Sequence, residues 1–187
     1  MFPILRQIAR IGCVTEPPPV ADEALRVTRE RLSAAISKQL GRALVIRHVD
    51  AGSCNACELE IHALGNPYYN LEALGIKFAA SPRHADLLLV TGPVAKNMEV
   101  ALRRAYDATP EPRLVVAVGD CGCTGGLFGE SYASCGKVAN VIPVDVAIPG
   151  CPPTPLDLMR GILAALGGGD GESIEAAADT PIAPTQP

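Results

Sequence analysis

An α/β chain built on a flavodoxin-like, doubly wound and mostly parallel sheet is what this sequence predicts, and three observations predict it. Five short apolar runs rich in Val, Ile and Leu are separated by stretches with helical periodicity. Such alternation leaves each strand followed by a crossover, which pairs strands in parallel. Three of the runs lead directly into loops where cysteine stands beside glycine or proline, GSCNACELE, VGDCGCTGG and PGCPP. Parallel sheets of this kind bind their ligands outside the carboxyl ends of the strands, and those loops fall there.

The chain opens with MFPILRQIARIG. Phe2, Ile4, Leu5 and Ile8 form an apolar pattern broken by Arg6 and Arg10, which is not the continuous core of a signal peptide, so export is not expected. The same pattern suits contact with a membrane-embedded partner or the lipid surface. A turn is expected through Glu16, Pro17, Pro18 and Pro19, then a helix from Ala21 to Leu40. In that helix Leu25, Leu32, Ile36 and Leu40 mark one face, and Arg26, Arg29, Glu30 and Lys38 lie opposite. Its apolar face packs either on its own domain or on a partner. Residues 1–40 therefore read as an N-terminal arm.

Residues 41–166 read as the α/β domain. Strands are expected at 43–49, 76–80, 85–92, 114–119 and 141–150, the last shortened by Pro143. Helices are expected from Glu58 to Leu64, Asn70 to Leu74, Asn97 to Tyr106 and Thr154 to Leu166. Residues 167–187 are glycine-rich, then acidic with prolines, and read as a flexible tail.

Composition narrows the function classes. The chain has 187 residues, 48% of them hydrophobic, with no Trp and three Phe, so a single core must rest on Leu, Val, Ile and Ala. A net charge of −4 without a basic stripe argues against nucleic acid as the main partner. No apolar run reaches the ~20 residues of a spanning helix. Seven cysteines without a secretion signal favour metal ligation in a reducing compartment over a disulfide framework.

Cys54, Cys57, Cys121 and Cys151 are the candidate ligands, because three loops at one sheet edge can assemble a thiolate cage. Three chemistries compete for them. A thioredoxin-like CxxC would need no distant cysteines. Structural zinc ordinarily uses paired knuckles, whereas Cys121 and Cys151 are far apart and only Cys123 offers a close CxC neighbour. An iron–sulfur cluster accepts spread ligands, and Pro152 after Cys151 matches the Cys-Pro ending of some cluster motifs. Cys123 is the alternative to Cys121, while Cys13 and Cys135 read as spare thiols. Gly119, Gly125 and Gly126 would allow close backbone approach to the inorganic sulfides, or form an ordinary turn. Glu58 reads as a helix-dipole carboxylate, and Glu60 faces outward toward a partner. His62 and His84 read as surface residues rather than ligands.

In their order, GSCNACELE, GDCGCTGG and PGCPP resemble the small subunit of membrane-bound, energy-converting [NiFe] hydrogenases, including the hydrogenase component of formate hydrogenlyase. The same superfamily contains the single-cluster, quinone-proximal subunit of respiratory complex I, and the similarity spans roughly residues 42–166. The resemblance implies one proximal [4Fe–4S] cluster on Cys54, Cys57, Cys121 and Cys151, with electron transfer but no bond chemistry in this chain. It implies a large subunit holding the nickel–iron site, a ferredoxin-like iron–sulfur subunit and membrane-embedded subunits. It also implies a peripheral location on the cytoplasmic side of the inner membrane and a proton route that includes Glu60. Complex I subunits carry adjacent cysteines at the first position, so Cys54-Asn-Ala-Cys57 points to the hydrogenase branch. The twin-arginine leader and cysteine-rich C-terminal region of uptake hydrogenase small subunits have no counterpart in the sequence.

Overall fold

The apolar runs pair as a five-stranded, all-parallel sheet in the computed structural model, which describes residues 2–12 and 22–167. The strands are β1 (Leu44–Asp50), β2 (Ile76–Phe78), β3 (Leu87–Thr91), β4 (Leu114–Val118) and β5 (Val146–Ile148). Their order, β2-β1-β3-β4-β5, is the flavodoxin-like one. Every residue of the central β3 is buried, as expected for a strand covered on both faces. Alternation along it sorts the layers: Leu87 and Leu89 face one core, Leu88 and Val90 the other.

On the first face α2 (Glu23–Gln39), α3 (Ala56–Ala63) and α6 (Pro155–Ala165) bring Leu25, Leu32, Ile61, Leu158 and Ile162 against the sheet. On the second, α4 (Lys96–Ala108) contributes Leu102, joined by Val138, Val141 and Ile142 from irregular chain. The long run 141–150 therefore yields only a three-residue strand, because its first half packs as loop before Pro143 breaks the ladder. Residues 70–74 form a 3-10 turn, Leu71–Leu74, instead of an α-helix.

Two amphipathic helices precede the sheet. α2 starts at Asp22, whose side chain accepts the Ala24 N–H. It packs on α6, and the Gln39 amide donates to the Leu166 carbonyl. The helix thus covers its own domain. In α1 (Phe2–Ile11), Ile4, Leu5, Ile8 and Ile11 are all exposed. The turn at 16–19, Cys13 and the segment 168–187 lie outside the described residues. No described helix is long and apolar enough to cross a membrane.

Register aligns the edge that matters. Asp50 pairs with Thr91, Thr91 with Val118, and Val118 with Ile148, so β1, β3, β4 and β5 end in one row. The chain leaves that row toward Cys54, Cys121 and Cys151.

Candidate metal centre

The first loop is shaped by side chains. Asp50 Oδ1 accepts the N–H groups of Gly52 and Ser53, both at 2.8 Å, and turns the chain at the end of β1. Asn55 adopts a left-handed conformation, φ 76°, immediately before α3. Cys54 is consequently exposed on the turn, while Cys57 is buried in the first turn of the helix.

The second loop is a short helix where sequence reading expects a turn. α5 (Gly119–Thr124) begins directly after β4 and carries Cys121, which is partly exposed. Gly119 has φ +80°, and a Cβ there would stand 2.7 Å from Cys57 Sγ. At Gly126, φ +53°, a Cβ would stand 2.8 Å from Cys121 Sγ. Both glycines therefore make room for a thiol. Gly125 instead lets α5 end against Gly129.

The third loop is tied to the second. Asp120 N–H donates to the Gly150 carbonyl at 2.9 Å, and the Gly150 N–H donates to Asp120 Oδ1 at 2.7 Å. Cys151 follows, exposed, and Thr154 then starts α6 with a reciprocal capping box to Asp157. Neither the Asp120 clamp nor this cap involves a thiol.

The thiols at this edge lie close enough to act on one another. Burial pushes the Cys57 thiol up to about 12, and the Glu58 carboxylate and the Cys54, Cys121 and Cys151 thiols add to it. Burial also raises Cys121, reinforced by Cys151, Cys54 and Asp120. Cys123 is pushed up to about 12, mainly by burial, but its Sγ turns inward to the Ala117 carbonyl at 3.7 Å and packs against the second core. Cys135 is buried elsewhere and donates to Glu99 Oε2 at 3.4 Å. Among the described residues, no three His, Cys, Asp or Glu side chains are spaced to hold one metal ion. A tetrahedral zinc site with bonds of about 2.3 Å would need sulfurs only ~3.8 Å apart.

The acidic and histidine candidates separate clearly. Glu58 is 7% exposed, and its Oε2 accepts the Ser53 hydroxyl at 2.8 Å. His48 Nε2 lies 3.0 Å from Thr91 Oγ1 and 3.6 Å from Glu58 Oε1. Glu60 is half-buried on α3, where its charge helps to raise the Tyr69 phenol behind the larger effect of burial. His62 and His84 are exposed. Sequence reading passes over His48 and takes Glu58 only as a helix-dipole carboxylate, without its burial. The alternation Leu44, Ile46, His48 on one strand face is a usable signal for the histidine.

Comparison with known proteins adds a second line of observation. A family profile described as "NADH ubiquinone oxidoreductase, 20 Kd subunit" matches residues 54–165. The chain is 41% identical over 150 residues to formate hydrogenlyase subunit 7 of Escherichia coli, covering 80% of this chain and 57% of that one. It is 43% identical over 137 residues to the probable membrane-bound hydrogenase subunit mbhJ of Pyrococcus furiosus, covering 73% and 82%. It is 50% identical over 107 residues to a NADH-quinone oxidoreductase subunit of Desulfovibrio desulfuricans, covering 57% and 58%. The matched region thus spans little more than half of the first and third of these relatives. Among solved structures, a chain of the membrane-bound sulfane sulfur reductase, an archaeal respiratory membrane complex, superposes with TM-score 0.60 at 31% identity, covering 82% of this chain and 80% of that one.

Proposed function

Because the chain belongs to the NADH ubiquinone oxidoreductase 20 Kd subunit family, whose relatives are subunits of hydrogenase and quinone-reducing oxidoreductase complexes, we propose that it is an electron-transfer subunit carrying one [4Fe–4S] cluster in a membrane-associated [NiFe] hydrogenase complex. The observation that supports this reading is that register brings the loops of Cys54, Cys57, Cys121 and Cys151 to one carboxyl edge, with Gly119 and Gly126 leaving room at two of the sulfurs. Four thiolates are the donor set of such a cluster. When bound, the cluster would accept and donate single electrons. The chain's part is to present the thiols, fix the three loops through Asp50 and Asp120, and shield Cys57 from water.

A catalytic partner belongs over this edge. Leu127 and Tyr132, in the loop that follows α5, are 92% and 98% exposed, and Phe128 is exposed between them. A large subunit with the nickel–iron site would cover them, with Cys54, Cys57 and Glu60 near the interface and Glu60 on a proton route. A ferredoxin-like subunit and membrane-embedded subunits would complete the assembly on the cytoplasmic face of the membrane. The spaced pair Cys54 and Cys57 favours the hydrogenase branch. The 50% identity to a NADH-quinone oxidoreductase subunit supports the second reading, a quinone-reducing assembly.

Anaerobic reconstitution with iron and sulfide tests the reading. Expected are about four irons per chain and the electron paramagnetic resonance of a reduced [4Fe–4S] cluster. One tightly held zinc per chain, with no iron uptake, would overturn it. Co-expression with the neighbouring large subunit should give hydrogen-dependent dye reduction. Quinone reduction without hydrogen turnover would select the second reading.

A further inference from the structure

Glu58 is a carboxylate withdrawn from water with only one of its two oxygens hydrogen-bonded. Oε2 accepts the Ser53 hydroxyl, but Oε1 is the one buried side-chain oxygen or nitrogen among the described residues with no hydrogen-bond partner. The nearest polar group, His48 Nε2, stands 3.6 Å away and lies closer to Thr91 Oγ1. Burying a carboxylate this way is costly in desolvation, so a structure that keeps it needs a compensating use. Its place in the chain supplies one. Ser53 immediately precedes Cys54 and Glu58 immediately follows Cys57, so their hydrogen bond spans the whole two-cysteine segment and closes it into a ring.

Local backbone conformation does not hold that segment by itself. Asn55 has φ +76°, an uncommon left-handed conformation for a residue with a side chain, and Gly52 has φ +128°, which its lack of a Cβ permits, as the chain reverses between β1 and α3. Asp50 fixes the entry by accepting from Gly52 and Ser53. Ser53 Oγ passes the constraint on, accepting the Asn55 N–H at 3.3 Å while donating to Glu58. His48 and the fully buried Thr91 form the wall behind the carboxylate.

From this geometry we infer that Glu58 is a positioning residue: through Ser53 it sets the relative directions of the Cys54 and Cys57 thiols and holds them ready for the cluster. The inference rests on the cluster reading above. It assigns Glu58 a specific mechanical role, which a helix-dipole carboxylate would not have, and it makes Ser53 and Glu58 one unit.

The test uses the full chain, reconstituted anaerobically, with Ser53→Ala, Glu58→Ala, the double variant and Glu58→Gln. Loss of outer groups that orient metal ligands typically weakens metal binding by about 10–100-fold. Ser53→Ala and Glu58→Ala should each speed iron loss to a chelator about tenfold or more and broaden the resonance of the reduced cluster. The double variant should be no worse than either single one, because all three remove the same bond. Glu58→Gln keeps an acceptor oxygen for Ser53 and should restore the wild-type line shape and loss rate. Should Glu58→Ala fail to fold, Ser53→Ala, at a half-buried position, answers the question alone. An iron-replete wild type with an unaltered Ser53→Ala variant, additive losses in the double variant, or a Glu58→Gln variant as poor as Glu58→Ala would each overturn the inference and leave the cluster reading standing. A wild type that takes up no iron would defeat both.

Discussion

Leu87, Leu88, Leu89 and Val90 in β3 are fully buried between helices or packed chain on both sides, whereas Cys54 and Cys151, a few residues beyond β1 and β5, stand exposed at the end of the same sheet. The two regions are supported differently. In the interior each side chain is one of many apolar contacts, and neighbours share any loss. At the edge single atoms carry the shape: Asp50 Oδ1 for one loop, Asp120 Oδ1 for another, and bare glycine Cα atoms beside two sulfurs. Damage to the interior should therefore appear as lost stability, and damage to the edge as lost metal.

The sharpest way to break this comparison is to remove a thiol. Replacing Cys54, Cys57, Cys121 or Cys151 with Ala should abolish or convert the proposed four-iron cluster, while Cys123→Ala and Cys135→Ala should leave iron content unchanged. Equal iron loss in both sets would erase the distinction between edge and interior sulfurs. Next in size is Gly119→Ala, which places a methyl 2.7 Å from Cys57 Sγ on a backbone of φ +80°. Iron uptake should fall about tenfold or more, measured by titration under reducing conditions. Normal uptake would show that the loop has slack.

The interior counterpart is Leu88→Ala, which should cost about 2–5 kcal/mol in denaturant unfolding. The iron stoichiometry of the folded fraction should stay at the wild-type value. A proportionate loss of iron per folded chain would mean that edge and interior are not separable. The smallest effect concerns His48. Burial holds its imidazole below the ordinary value of 6.5, against the opposing pull of Glu58 and Asp50. The unfolded chain consequently binds a proton that the folded chain refuses once the pH drops below 6.5. This contribution to stability is complete above that pH and declines as the solution is acidified toward the lower folded value. His48→Gln should flatten that part of the stability profile, and an unchanged slope would show that His48 is not held neutral.

Much of the architecture is legible in the residues alone. Runs such as ALVIRHV and LVVAVG are β-branched and short, and each leads to a glycine within a few residues, so strand positions and the flavodoxin-like order follow from local pattern and connection rules. Less legible is GDCGCT, whose glycines favour a turn but which winds into α5, because Gly119 must pass Cys57 and Asp120 must reach Gly150. Glu58 looks like any acidic residue in a first helical turn. Its burial depends on Ser53 and on His48 of β1, and on Thr91 behind them, which no short window contains.

The two leading helices mark the same boundary. Both show an apolar face in sequence, yet α2 lays Leu25, Leu32 and Ile36 into the core and α1 leaves Ile4, Leu5 and Ile8 bare. A period in the sequence determines that a face exists, because side-chain direction repeats every 3.6 residues. What covers that face depends on chain far away, here α6 more than a hundred residues later. The cysteines divide in the same way. Sequence alone determined that thiols stand in glycine- or proline-marked loops at strand ends, since those signals are local. That Cys121 lies partly exposed at the edge shared with Cys54, Cys57 and Cys151 while the Cys123 Sγ turns to the Ala117 carbonyl was decided only by tertiary structure, because it rests on strand register and on how α5 meets Cys57.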